Sequence, residues 1–374
     1  MTQPMPLHPG DITTRFLTEL IGELHPGVVV ESVSLVKVRN YGDADNANSV
    51  STSRQAALEV RYRDGAPASL PRRLLTKISI PGDVATSNPE LDALFRNEIA
   101  FYGRLRRELD IETPQGLGGR FDEASKRFVL LMEDLSLRSP HINSMMDEDD
   151  VAAVAALLDT LAKLHARYWE SPRFATDLSW VQNQRAGTIE DLFDGPVRAH
   201  IVKELAREKF KREFMQELGT TEAQMYAGEE ALKRHFATLP QTFLHGDAHF
   251  GNTYTMPDGV GGLLDWQVSV RGYMMFDVGY LIPTALSVAT RRTKERDLLA
   301  YYRDRLCAYG VGNAPHLEQL WLEYRRAQLH GFYLGWLTAP RENYGWEAMV
   351  IGNHRTKAAC LDHDSLRLVA ELSR

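Results

Sequence analysis

Over the first third of the chain, apolar residues gather in short β-rich runs at 28–36, 57–62, 74–80 and 128–132. Turn signals at Asp64-Gly65 and Pro81-Gly82-Asp83 separate them. Between the third and fourth runs the pattern predicts a helix. Ser87 or Asn88 would cap it, with Pro89 in the first turn, and Leu91, Leu94, Phe95, Tyr102, Leu105 and Leu109 recur at helical spacing. From Asp147 the periodicity lengthens. Asp147, Glu148, Asp149 and Asp150 place negative charge at a helix start, and Val151, Val154, Leu158, Leu161, His165 and Tyr168 follow every three or four residues. The stretch 189–239 is helical and highly charged, and the chain reads as helix again from about Leu281. Strand signals interrupt this region at 242–265. With a break near 133–139, the expectation is an α+β chain: a small strand-rich lobe with one main helix over 1–134, and a mostly helical lobe over 135–374.

Composition narrows the class without fixing it. At 374 residues the chain suits one large or two modest domains, and 44% hydrophobic with 25% charged residues is ordinary globular usage. A net charge of −7 gives no reason to expect nucleic-acid binding. Two cysteines, Cys307 and Cys360, exclude a disulfide framework and a cysteine metal cluster, make the cytoplasm the default location, and read as ordinary buried thiols. The N-terminus lacks a basic segment followed by an apolar run, so no secretory signal is expected. Nor does any window reach 18 apolar residues, so no membrane span is expected either.

The densest chemistry is the run from Phe243 to Asn252, FLHGDAHFGN, followed thirteen residues later by Asp265. Asp258-Gly259 is a strong two-residue hairpin signal. Counting outward pairs Val260 with Pro257, Leu263 with Tyr254, and Asp265 with Asn252, though Pro257 beside the turn could lengthen the loop by one residue. Opposed residues on one face have Cβ atoms about 4.5–5.5 Å apart. An amide oxygen and a carboxylate held so would suit a hard cation such as Mg²⁺. Asp247, on the loop entering the hairpin, is placed to orient and deprotonate a hydroxyl. Taken singly, Asp247 and Asn252 are equally readable as turn residues; it is their combination with Asp265 that points to a site. Upstream, Glu98 falls on the apolar stripe of its helix. A carboxylate there is costly without a cation unless it reaches water at a lip of the fold, and Lys77 in the 74–80 strand is the natural partner.

These motifs carry a resemblance. HGDAHFGN followed by LLDWQ resembles the catalytic and metal-binding loops of the aminoglycoside phosphotransferase and choline kinase superfamily. The run FLHGDAHFGNTY through GLLDWQVSVRGYMMFDVGYL, with NEIAFYGRL and LAKLHARYW, is most similar to the ecdysteroid-kinase-like branch, over about residues 74–281. The resemblance implies a protein-kinase-like fold that binds ATP between two lobes and phosphorylates a hydroxyl of a small molecule. It implies Asp247 as catalytic base, Asn252 and Asp265 as Mg²⁺ ligands, Lys77 on the α- and β-phosphates, and Glu98 bracing Lys77. It makes Met132, Glu133, Asp134 and Leu135 the hinge whose backbone meets adenine. His245 and His249 become loop supports; Asp277, read from its own place on a following helix, is a cap or brace of the catalytic loop. The phosphate-covering loop should lie near 41–53, where YGDADNANSVSTS has one glycine, Gly42, so small polar residues such as Asn48, Ser49 and Ser51 would meet phosphates.

Two other readings differ in class. A nucleotide-binding module without turnover would fit the glycine-poor loop but not the complete Lys, Glu, Asp, Asn and Asp set. A metal-dependent phosphoesterase would use Gly246-Asp247 and Gly352-Asn353-His354, but lacks the larger His and Asp set that two ions require. Other residues have plainer readings. His165 reads as a satisfied core histidine, Trp266 as packing, Arg291-Arg292 as a basic run on a solvated helix, and 352–355 as a loop.

Overall fold

The computed structural model describes residues 3–39, 53–79 and 91–373. The expected turn at Pro81-Gly82-Asp83, the helix start at Ser87, Asn88 and Pro89, and the phosphate loop with Gly42, Asn48, Ser49 and Ser51 lie outside the described residues. The chain divides into two compact units: Met1–Leu109 with Thr113–Pro140, and Asp110–Glu112 with His141–Arg374.

The first unit opens with helix α1 (Thr14–Gly22), capped by the Thr13 side chain on the Phe16 N–H. Strands β1 (Val30–Arg39), β2 (Ser53–Tyr62) and β3 (Arg73–Ser79) precede helix α2 (Leu91–Ala100), which continues as a π-helical turn over Phe101–Leu105. Strands β4 (Gly116–Asp122) and β5 (Arg127–Glu133) complete an antiparallel sheet of order β1-β2-β3-β5-β4. Strand alternation sorts the two faces. Leu74 and Ile78 of β3, with Val129 and Leu131 of β5, pack with Phe16, Leu17, Leu20 and Ile21 of α1 into one buried cluster. Lys77 and Leu130, paired across β3 and β5, therefore point the other way, where Phe128 stacks on Phe95 of α2 with ring centroids 4.0 Å apart.

The sequence pattern missed β4 because its glycines resemble a loop. The physical reason lies in the helices on either side. A Cβ at Gly116 would come within 2.8 Å of the Tyr102 Cβ, and one at Gly118 within 2.7 Å of the Leu20 carbonyl oxygen. The strand gives up side chains so that both layers can approach its backbone.

In the second unit, α3 (Val151–Arg167) starts at Asp150, whose carboxylate accepts the N–H groups of Ala152 and Ala153. Asp147 and Asp149 are used elsewhere: Asp147 accepts the Ser144 N–H, and Asp149 the N–H and hydroxyl of Ser287. The charged stretch forms α4 (Arg198–Arg207), α5 (Lys209–Glu217) and α6 (Glu222–Phe236). After β6 (His141–Ile142), the remaining strands are β7 (Thr242–Leu244), β8 (Thr253–Thr255), β9 (Gly261–Leu263) and β10 (Val270–Gly272). They form two small sheets, β10-β7 and β6-β8-β9. Helices α7 (Met275–Ala285), α8 (Val288–Ala308), α9 (Leu317–His330), α10 (Trp346–Asp362) and α11 (Ser365–Ala370) follow. No helix among the described residues is long and apolar enough to cross a membrane.

Three plain readings are corrected here. Residues 352–355 lie inside α10, not in a loop. Arg291 is not solvated: it is fully buried, donating to Glu295 at 2.7 Å and to Asp362, with His363 Nε2 at 3.2 Å. Its partners from 362–363 are remote in sequence, so an exposed-looking RR pair conceals a buried, ion-paired cation. Of the cysteines, Cys360 is buried but Cys307 is exposed.

Candidate active site

In the first unit, alternation turns Lys77 toward α2, and the helical stripe turns Glu98 toward the sheet. Their side chains meet at 2.7 Å, with Lys77 7% and Glu98 3% exposed. Burial of the pair strengthens the attraction and makes either partner alone costly. At the end of β5, the Glu133 N–H donates to the Gln115 carbonyl at 2.8 Å, the Asp134 N–H to the Arg73 carbonyl at 3.1 Å, and the Ser136 N–H to the Asp134 carboxylate at 3.1 Å. Met132 is still sheet, paired with Leu75 and Gly116, and Leu135 begins a short 3₁₀ turn.

In the second unit, a loop over 245–252 joins β7 to β8. Gly246 has φ +85°, and a Cβ there would fall 2.1 Å from the Val268 carbonyl oxygen, so the loop turns where only glycine fits. Asp277, fully buried on α7, accepts the N–H groups of His245 at 2.7 Å and Gly246 at 2.8 Å. Burial pushes its carboxyl upward, but the hydrogen bond and charge of His165, then the charge of His245 and the Gly246 N–H, hold it below the usual range. His165 Nε2 backs Asp277 at 3.1 Å, while its Nδ1 meets the Tyr302 hydroxyl at 2.7 Å. The fully buried His245 bridges the loop to the β9 exit, with Nε2 2.7 Å from the Leu264 carbonyl and Nδ1 accepting the Asp247 N–H at 3.2 Å. His249 accepts the Gly251 N–H on Nδ1 at 3.0 Å, and Thr284 accepts the Phe250 N–H at 3.0 Å. Trp266 is fully buried against His245 and Phe243.

The hairpin register differs from the one counted from Asp258-Gly259. Thr253 pairs with Leu263 and Tyr254 with Gly262, one residue off the expected match. The Met256 N–H donates to the Val260 carbonyl at 2.9 Å and the Gly259 N–H to the Met256 carbonyl at 2.8 Å, so three residues, Pro257 to Gly259, form the loop. Asn252 therefore lies opposite Leu264, whose N–H reaches the Asn252 carbonyl at 2.8 Å. A one-residue slip would send the side chain of 265 to the wrong face if the strand continued. It does not continue: β9 ends at Leu263, and Asp265 has φ +63°, a left-handed backbone that re-aims its side chain.

Asp247, Asn252 and Asp265 share one neighbourhood. The Asn252 Nδ2 donates to both the carboxylate and the carbonyl of Asp247 at 2.9 Å. Burial first, then the charge of Asp265, push the Asp247 carboxyl well above its usual pKa, against the Asn252 hydrogen bond. Asp247 keeps 31% of its side-chain surface exposed, so water softens the effect without reversing it. The donor set is all oxygen: two mutually repelling carboxylates, and an amide whose nitrogen is committed and whose oxygen is left over. That chemistry fits Mg²⁺. By contrast, Glu190, Asp194 and Glu230, the one cluster of three carboxylates within ion-sharing distance among the described residues, already has Lys233 Nζ 3.0 Å from Glu190 and 3.1 Å from Glu230.

Sequence reasoning overlooked the supports Thr284, Tyr302 and Asn143, the last donating to the Thr253 hydroxyl at 2.8 Å. They lie 34 residues or more from their partners, and no local spacing marks them.

A search of curated protein sequences finds no match. Among solved structures, a choline kinase from Cryptosporidium parvum Iowa II superposes with a TM-score of 0.53 at 11% identity, covering 91% of each chain. That likeness shows a shared, protein-kinase-like fold. An ethanolamine kinase from Plasmodium vivax gives 0.49 at 13% identity, covering 88% of this chain and 83% of that one. An aminoglycoside 2′-phosphotransferase solved with GDP gives 0.44 at 12% identity, covering 92% and 98%. The model for the phosphotransferase enzyme family matches residues 72–320, more than half of the chain. The chain belongs to that family.

Proposed function

We propose that this phosphotransferase is an ATP- and Mg²⁺-dependent kinase that moves the γ-phosphoryl group to a hydroxyl of a small molecule. The observation that carries the reading is the meeting of Asp247, Asn252 and Asp265 in one loop system, with Asp247 hydrogen-bonded to Asn252 and within reach of the charge of Asp265.

Lys77, held by Glu98, neutralises charge on the nucleotide phosphates. Among the 132–135 amides, Glu133 and Asp134 are committed within the sheet, so we assign the Leu135 N–H to adenine. The side-chain oxygens of Asn252 and Asp265 hold Mg²⁺, which supplies charge neutralisation on the phosphates when bound. Asp247 orients the acceptor hydroxyl and takes its proton as the new O–P bond forms and the bond to the ADP oxygen breaks. Positioning and charge carry most of such a reaction, which is why few groups suffice. The motif likeness to the ecdysteroid-kinase-like branch favours a hydrophobic or mixed alcohol as acceptor.

The test is mass-spectrometric detection of phosphorylated product from MgATP and a panel of amino alcohols, sugars, aminoglycosides, sterols and aromatic alcohols. Product with the native chain and none with Asp247→Ala supports the reading. Nucleotide binding without product across the panel would instead make the chain a binding module.

A further inference from the structure

A buried cation outside the residues above has an unusual set of partners. Lys211 on α5 is fully buried, as is Glu204 on α4. Its ammonium donates to Glu204 Oε2 at 2.8 Å, to the Leu337 carbonyl at 2.9 Å and to the Ala339 carbonyl at 2.8 Å. All three N–H donors are thus used. The carbonyl between those two, on Thr338, meets His200 Nε2 of α4 at 2.9 Å. Arg207 then reaches across to Glu342 with bonds of 3.0 and 2.9 Å. Side chains of α4 and α5 therefore hold three successive carbonyls and the first turn that follows.

The clamped segment has a specific place. Helix α9 widens into a π-helical turn over Gly331–Trp336, ends at the clamp, and resumes at Arg341–Tyr344. Such widened turns leave backbone groups that need other partners. On either side of the clamp stand Trp336 and Tyr344, with ring centroids 5.5 Å apart. Both rings pack on His249, at 6.0 and 6.3 Å, and His249 Nε2 lies 3.9 Å from the Asp247 carboxylate. The Trp336 indole N–H is itself buried without a protein partner, so the ring is held by packing alone.

We propose that Lys211 is a positioning residue for the acceptor: through the 337–339 backbone it fixes the rings of Trp336 and Tyr344 beside the Asp247 loop. This rests on the kinase reading and adds to it. The acceptor it fits is an alcohol with an apolar or ring-shaped body that can lie against those aromatic faces. A purely structural ion pair at this place is the competing account. Buried ion pairs are often replaceable by apolar pairs of similar volume without loss of stability, so the variant that removes both charges separates a positioning role from a structural one.

The experiment uses the full chain, the best acceptor from the hydroxyl panel, and MgATP with water as a second acceptor. Lys211→Met is compared with the double variant Lys211→Met/Glu204→Leu, which removes both charges, and with Lys211→Arg. The expected result is a rise of at least tenfold in the acceptor KM, with the KM for MgATP and the hydrolysis of ATP by water within twofold of native, and partial rescue by arginine. An unchanged acceptor KM in a folded variant overturns the proposal. So does an equal change in the acceptor and MgATP constants, or failure of both Met variants to fold, which leaves Lys211 a structural residue. A native chain that phosphorylates no alcohol of the panel removes the kinase reading itself, and that result is visible before any variant is made.

Discussion

One oxygen of the Asp277 carboxylate receives the Gly246 N–H at 2.8 Å, while the other receives the preceding amide, that of His245, at 2.7 Å. A single side chain thus fixes two successive peptides of the loop that carries Asp247. Asp277→Asn would turn an amide N–H against one of those backbone donors. The expected cost is about 3 kcal/mol of stability, as for a buried polar network broken on one side. Turnover should fall even where the variant is folded. Urea unfolding and initial rates on the same preparation check both parts.

Asp247 is held at a raised pKa by burial and by Asp265, so its charge is a strain on the folded state. Asp247→Asn removes that repulsion. Turnover should fall by roughly 10²–10⁴-fold, the usual contribution of a general base, while the melting temperature stays level or rises. A melting temperature well below that of the native chain contradicts the electrostatic account.

Magnesium should act on the same group in the opposite sense. A divalent cation beside Asp247 favours its ionised form and lowers its pKa. Carboxyl ¹³C titration by NMR, without and with Mg²⁺, should show the Asp247 midpoint moving down. Asp265→Ala should abolish that Mg²⁺ response and lower the metal-free midpoint.

His249 is held down to about 4 by burial first and then by the charge of His245. In the unfolded chain its pKa is about 6.5. Between those values the unfolded state binds the extra proton, so stability falls as pH drops from about 6.5 to 4 and changes little from this source outside that window. The span is on the order of 3 kcal/mol. His249→Phe, which keeps a ring against Tyr280 and Trp336, should flatten the slope of unfolding free energy in that window.

Gly246→Ala combines a positive φ with a Cβ 2.1 Å from the Val268 carbonyl oxygen. The loop must shift, and both stability and turnover should fall. An active variant with native stability would show that this turn tolerates a side chain.

Much of this was legible in the chain because local rules coincide with the tertiary result. Helical spacing puts Glu98 on a packed face, where a carboxylate needs a cation and Lys77 in the 74–80 strand is the natural one, and their side chains meet at 2.7 Å. Asp247, Asn252 and Asp265 group through the hairpin register counted from Asp258-Gly259 and the loop that leads into it. The hairpin count was off by one because Pro257 takes part in a three-residue loop, and the left-handed Asp265 offsets the slip. What stayed hidden depends on distant partners. Strand β4 reads as a loop until Leu20 and Tyr102 are placed against its glycines. Arg291 reads as solvated until Asp362 and His363 return to it from about seventy residues away.

The left-handed backbone of Asp265 has a consequence of its own. Most L-residues resist that conformation, whereas asparagine tolerates it and glycine adopts it freely. A library at this codon should therefore rank differently in the two columns an experimenter would record. Glycine should head the list for resistance to heat and sit near the bottom for catalysis. Glutamate, though it retains the charge, should do poorly in both.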